Sequence, residues 1–311
     1  MFRLKKSDPK INITGELRFH ESMAGHTTFK VGGPADVFAI PADEGDIVEI
    51  LRFAESESIP TFILGGGANI LVADAGIRGI VIDMGRFDSI TAAPPKDGTT
   101  VLSVGAGLPV SRASAWAADH GLGGLEFIYS MPGSVAGAVW MNARCYDAEV
   151  YDILSHVDLL SRTGHASRYQ PKAEDFAYKH SPFQGTDSIM TSVGFALRPA
   201  DRQSLWKEMK DHESDRTAKG HFAAPCAGSV FKNNRAFGRP SGAIIDGLGL
   251  RGFSIGGAKV SDLHANIIIN ADNASAADIR AVSDHLAREV KERLGFRLER
   301  EILLVGEWEA Q

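Results

Sequence analysis

The 311-residue chain has only two cysteines, Cys145 and Cys226, far apart and in no C-x-x-C pair. That excludes a disulfide framework and a paired-cysteine zinc site, and it fits a reducing compartment. Basic residues are in deficit: 33 Lys and Arg against 39 Asp and Glu leave a net charge of −6 and a pI near 5.9. A nucleic-acid binder normally carries a basic face, so no nucleic-acid partner is expected. No run of about 18 apolar residues occurs, so no membrane insertion is expected. The opening MFRLKKSDPKINITGEL has charges but no apolar h-region, so no signal peptide is expected and the expected location is cytoplasmic. Ten histidines are scattered with no H-E-x-x-H, so no metal is expected. The absence of G-x-x-x-x-G-K-[ST] argues against a P-loop kinase or NTPase. No internal repeat or low-complexity tract is visible.

What is present is an ordinary globular composition, 44% hydrophobic and 23% charged, with 33 glycines that cluster. The length calls for two or three domains. DVFAI (36–40), TFIL (61–64) and GIVIDM (79–84) read as strands, with a helix over 43–60 that sets Ile47, Ile50, Leu51 and Ala54 on one face. A turn-rich segment, TAAPPKDGTT (91–100), leads to a second unit. Its strands fall at 101–107, 153–161 and 188–197, and its short helix at 111–121. A third unit opens near 200 with a charged helix over 202–220. HANIIIN (264–270) reads as a buried strand. Residues 275–295 form the clearest helix, with Ser275 and Asp278 as a capping box, a stripe of Ile279, Val282, Leu286, Val290 and Leu294, and Gly295 as the stop. REILLVGE (300–307) reads as a closing strand. The class is α+β.

The glycine clusters carry most of the functional information. LGGGANILVAD (64–74) follows a strand, and its three glycines leave backbone N–H groups open to a phosphate or pyrophosphate. The candidates there are Gly65, Gly66, Gly67, Ala68, Asn69 and Ile70; a plain turn between strands is the alternative. SMPGSVAGAVWMNA (130–143) is a second such stretch, with Pro132, Gly133, Ser134, Gly137 and Asn142 as candidates. Its small residues allow close packing on a ligand or on a facing backbone. Two such loops suggest one long ligand with a pyrophosphate between its halves, a dinucleotide. GLGLRG (247–252) matches G-x-G-x-x-G literally, but no helix opens after it, which argues against a Rossmann fingerprint.

PCAGSVFKNN (225–234) sets Ser229 in a small-residue turn with no G-x-S-x-G and no local base. Lys232 follows three residues later, either raising the local positive potential or simply solvated. Glu301 counts onto the face of Leu303 and Val305 of the closing strand, where a carboxyl can be held for acid chemistry; an exposed strand end is the other reading.

Taken in order, several stretches resemble the flavoprotein UDP-N-acetylenolpyruvoylglucosamine reductase family: HTTFKVGGPADVF (26–38), LGGGANILV, MPGSVAGAVWMNA, DFAYKHSPF (175–183), AGSVFKN (227–233), GAIIDGLGLRGFSIGGAKVSDLHANIIIN (242–270) and GFRLEREILLVGE (295–307). They cover nearly the whole chain. The lack of a long insertion after FAYKHSPF resembles the family's shorter, type II branch. The resemblance implies a two-subdomain FAD-binding fold of the p-cresol methylhydroxylase type followed by a smaller α/β substrate-binding domain. The expected domains are 1–85 (completed by a C-terminal strand, 299–311), 86–199 and 200–298. It implies FAD and NADPH as cofactors, a UDP-sugar enolpyruvyl ether as substrate, and a monomer. NADPH reduces the flavin, hydride passes from flavin N5 to C3 of the enolpyruvyl group, and a proton reaches C2.

Residue by residue, the resemblance makes Ser229 the proton donor and Glu301 the carboxyl that meets the intermediate's carboxylate. Lys179 stands at the catalytic cation, and Tyr178, Lys219 and Asn233 fall at substrate contacts. A hydroxyl acting as an acid needs no triad, because it is not a nucleophile. Two departures stand out. The family's F-G-Y-R reads FAYK here, and Lys179 keeps the charge without the bidentate grip of arginine. The family's M-N-A-G-A-Y-G reads MNARCYD, which brings in Arg144; it either replaces part of the missing guanidinium or points to solvent. The rival functions are another flavin oxidoreductase of the same fold, acting on an alcohol or sugar, and a non-catalytic nucleotide-binding relative.

Overall fold

The computed structural model describes residues 11–308. The basic opening stretch and residues 309–311 of the expected closing segment lie outside them. The described chain falls into two compact units. One comprises residues up to 19 together with 37–66 and 79–213, the other 20–36, 67–78 and the residues from 214 onward.

In the first unit a four-stranded sheet takes the order Glu16–Ser22, Pro34–Ile40, Ile77–Asp83, Thr61–Leu64. The last two strands run parallel, Thr61 opposite Ile80. The helix Glu44–Ser56 starts at Asp43, whose side chain accepts from the Asp46 N–H. Its stripe of Ile47, Ile50, Leu51 and Ala54 is buried with Val37, Ala39, Ile80 and Ile82. A six-stranded antiparallel sheet follows. Its main path is Ala166–Tyr169, Leu154–Leu160, Ile189–Pro199, Thr100–Gly105, Ile90–Ala92. The helices Val110–Asp119 and Val135–Trp140 share its core through Ala113, Ala117, Val135 and Val139, with Leu102, Val104, Val193 and Phe195 from the strands.

The second unit is organised by the helix Ala276–Leu294. Ser275 Oγ accepts from the Asp278 N–H and the Asp278 carboxylate accepts from the Ser275 N–H, so two orphan donors are satisfied reciprocally. Asp74 accepts from the next two, Ala276 N–H at 2.8 Å and Ala277 N–H at 2.9 Å. Gly295 ends the helix with φ at 75°. Ile279, Val282, Leu286 and Val290 pack with Ala258, Val260 and Ile268 of a three-stranded sheet, Ser254–Ile255, Ala258–Val260, Ile268–Asn270. GLGLRG ends the short helix Ser241–Gly247 and then turns into a strand, so its glycines open no helix.

Two expected strands are shorter than their apolar runs suggest. HANIIIN begins as a turn, with Ile267 N–H donating to His264 O, and only Ile268–Asn270 joins the ladder. The closing segment changes partner midway. Around Arg300 it pairs with Phe231, whereas Leu303–Val305 runs parallel to Ile70–Val72. The buried residue is Ile302, and Leu303 is 37% exposed, so Glu301 does not sit on a buried apolar face with Leu303. Among the described residues no helix is long and apolar enough to cross a membrane.

The capping box makes a direct prediction. Ser275→Ala is expected to cost about 1 kcal/mol in urea unfolding; an unchanged midpoint would show that the reciprocal cap contributes nothing.

Candidate active site

The two glycine-bearing loops meet within the first unit. A Cβ on Gly65 would strike Ser134 Oγ, and one on Gly66 would lie 2.6 Å from Gly133 Cα. The absence of side chains at 65 and 66 is therefore what lets one loop lie on the other. The second loop is fixed from behind, by Val110 N–H to Gly133 O at 3.1 Å and by Val135 N–H to Leu108 O at 2.8 Å. Pro132 and Gly137 are exposed, whereas Ser134 is buried and accepts from the Gly137 N–H at 3.3 Å. The Ser130 hydroxyl, two residues before Pro132, is buried with no hydrogen-bond partner among the described residues. In the second unit Gly67 adopts φ +60° against His26 O and accepts from the Thr28 N–H at 3.1 Å. The Thr28 hydroxyl is likewise buried and unpartnered. An orphaned buried hydroxyl calls for a partner. Each, taken within its own unit, fits a polar ligand atom next to bare backbone. Ile70 is buried in its strand, and Ala68 is half-buried.

Asn142 is wholly buried at φ +40°. Its Oδ1 accepts from the Tyr151 N–H at 3.0 Å and its Nδ2 donates to Ala177 O at 3.2 Å. It thereby anchors a tight turn, closed by paired backbone bonds between Ala177 and His180, that carries Tyr178 and Lys179 at its corner. Lys179 adopts φ +57°, and its Nζ lies 5.9 Å from the centroid of the Tyr178 ring. Arg144 lies on the short strand Arg144–Cys145, with a loose 3.8 Å ion pair to Asp147.

In the second unit the Ser229 loop is stitched along two edges. On one, Ser229 bridges Ile267, Val230 N–H donates to Asn266 O at 2.8 Å, and the buried Asn266 side chain clasps Phe231. Its Oδ1 accepts from the Phe231 N–H at 3.0 Å while its Nδ2 donates to Phe231 O at 2.8 Å. On the other edge, Glu301 N–H donates to Val230 O at 2.8 Å and Lys232 N–H to Glu299 O at 2.9 Å. Asn69 then holds the Glu301 side from beyond, its Nδ2 donating to Glu301 O at 3.0 Å and its carbonyl accepting from the Leu303 N–H. Ser229 and Glu301, 72 positions apart in sequence, thus belong to one hydrogen-bonded seam. Gly228 takes φ +71° with open space where a side chain would stand.

The remaining candidates lie around this seam. Lys232 pairs with Glu299 at 2.6 Å, so its charge is compensated. Asn233 Oδ1 accepts from the Ser241 N–H at 2.9 Å. Lys219 is exposed and pairs with Asp215 at 2.7 Å. Sequence reasoning missed Asn266 and the pairing of segment 299–301 with 230–232. An asparagine in an apolar run was the available signal for the first.

His221 and His264 face each other with ring centroids 6.0 Å apart. Burial pushes the His221 pKa down to about 4, helped by Arg216, His264 and Lys219 and opposed by Asp215. Burial also lowers that of His264, with Lys219 and Arg251 adding to the effect and its own backbone and Asp246 opposing it. Both rings fold more readily neutral. An imidazole titrates near 6.5 when unfolded, so on acidification the unfolded chain takes up these protons first. Their contribution is complete above about pH 6.5 and is lost as pH falls toward about 4. The urea midpoint should therefore drop across this window, and His221→Gln should flatten part of the drop. An equally steep fall in the variant would contradict the assignment.

Comparisons with known proteins place the chain beside one family. Residues 220–305 match the family described as UDP-N-acetylenolpyruvoylglucosamine reductase, C-terminal domain, and residues 35–169 match the FAD binding domain family. The UDP-N-acetylenolpyruvoylglucosamine reductase of Treponema denticola is 37% identical over 94% of this chain and 95% of its own. That of Heliobacterium modesticaldum is 39% identical over 95% of this chain and 93% of its own. The crystal structure of the Thermus caldophilus enzyme superposes with a TM-score of 0.77 at 30% identity, covering 94% of this chain and all of that one.

Proposed function

The chain belongs to the UDP-N-acetylenolpyruvoylglucosamine reductase family, FAD-containing oxidoreductases of peptidoglycan precursor synthesis, and from that premise we propose how its own residues run the reaction. The substrate is UDP-N-acetylglucosamine enolpyruvate and the product UDP-N-acetylmuramate. The G-G-G-A-N-I and P-G-S loops would hold FAD, which when bound would supply the redox chemistry, a hydride accepted from NADPH and delivered to C3 of the enolpyruvyl group.

The protein's part is to manage the charge and the proton. Adding hydride at C3 leaves negative charge at C2 and on the carboxylate, so a proton must arrive at C2 as that charge forms. The Ser229 hydroxyl gives this proton and regains one from solvent. The Glu301 carboxyl hydrogen-bonds the substrate's carboxylate through one proton, and Lys179 supplies the cation. Lys219 and Asn233 contact the UDP-sugar. The observation that carries this reading is the seam, which ties Ser229 and Glu301 into one rigid element. For Lys179 the support is its turn: Asn142 holds Ala177 and the Gln184 amide donates to Lys179 O at 3.2 Å.

Purified protein should be yellow, bleached by NADPH and recoloured by the enolpyruvyl substrate. Ser229→Ala should still bleach, while recolouring slows by roughly 10² to 10⁴-fold. A variant that recolours at the wild-type rate would remove Ser229 from the chemistry. Lys179→Ala is expected to lower kcat and Arg144→Ala to leave it unchanged; the reverse pattern would transfer the cationic role to Arg144.

A further inference from the structure

We propose that Asn266 is the positioning residue that sets the Ser229 hydroxyl for proton delivery, and that His264 holds Asn266 in place to do so. The inference rests on the proton-donor reading of Ser229. Its grounds are geometric. Asn266 is 3% exposed, yet it uses both ends of its amide on one residue, Phe231, two positions beyond Ser229. This is the pairing a neighbouring strand would make, supplied by a side chain. Asn266 also accepts from the Val230 N–H through its own carbonyl, so three bonds converge on the two residues after Ser229.

The backbone of Asn266 is itself held, its N–H donating to His264 Nδ1 at 3.2 Å. That bond needs Nδ1 unprotonated, with the ring proton on Nε2. It spans two residues, as the side chain of an Asx-turn does. The order of dependence runs from His264 to Asn266, to Phe231 and Val230, and so to Ser229. Proton transfer is steep in distance and alignment, and a misplacement of about 1 Å costs roughly 10²-fold. The clamp therefore acts on the proton-transfer step and leaves flavin reduction untouched.

The test separates the two half-reactions in stopped-flow experiments on the flavin-loaded protein. In Asn266→Ala, bleaching by NADPH should proceed at the wild-type rate, whereas recolouring by UDP-N-acetylglucosamine enolpyruvate should slow by roughly 10²-fold with a larger solvent deuterium isotope effect. His264→Leu should give the same pattern, and His264→Asn should restore the wild-type rate, because its side chain can accept the same N–H. If Asn266→Ala does not fold, the His264 pair decides alone. Equal slowing of both half-reactions, an unchanged isotope effect, or no rescue by asparagine would overturn the proposal. Wild-type protein that is not recoloured by the substrate would instead overturn the functional reading on which it rests.

Discussion

Two asparagines do the work of a missing strand. Asn266 clasps Phe231 from one edge and Asn69 holds Glu301 and Leu303 from the other, and between them segments 230–232 and 299–301 pair directly. Neither segment has a regular ladder of its own. A buried backbone donor or acceptor left unpaired costs about 1–3 kcal/mol, so the asparagines are what allow an irregular loop to sit in a core at all. Behind the seam stands the helix Ala276–Leu294. Arg300, next to Glu301, donates to Ser283 Oγ at 3.0 Å and pairs with Asp284, so Glu301's neighbour is tied to that helix.

The glycines serve the same purpose by subtraction. At Gly65 and Gly66 the missing side chains allow backbone to lie on backbone, and at Gly228 the missing side chain leaves open space beside Ser229. One residue type thus supports close packing in one place and leaves open space in another. The hydroxyls of Ser130 and Thr28 are buried with no hydrogen-bond partner among the described residues.

Much of this was legible in the sequence because its signals are local. The helix Ala276–Leu294 shows its cap, stripe and glycine stop in 21 consecutive residues, and Ile47, Ile50, Leu51 and Ala54 announce a helix by spacing alone. Ser229 was recognisable from its neighbours and from the resemblance of several ordered stretches to one family. What could not be read is the pairing of distant segments. REILLVGE looks like one strand, but its partner changes between Arg300 and Leu303, and only the partners determine that break. Asn266 escaped notice because an asparagine in an apolar run looks the same whether it faces solvent or clasps a backbone. Lys232 reads in the sequence either as a source of local positive potential or as a solvated lysine, and only Glu299, 67 positions away, shows its charge to be compensated.

The central claim is that Ser229 and Glu301 belong to one element held by Asn69 and Asn266. Native-state hydrogen exchange of the backbone amides of Val230, Phe231, Lys232, Glu301 and Leu303 tests it most directly. The account predicts that all five exchange together, with the protection of the helix Ala276–Leu294, and that Asn266→Ala releases Val230 and Phe231 first. Independent, fast exchange of Val230 and Glu301 in the wild-type protein would contradict it.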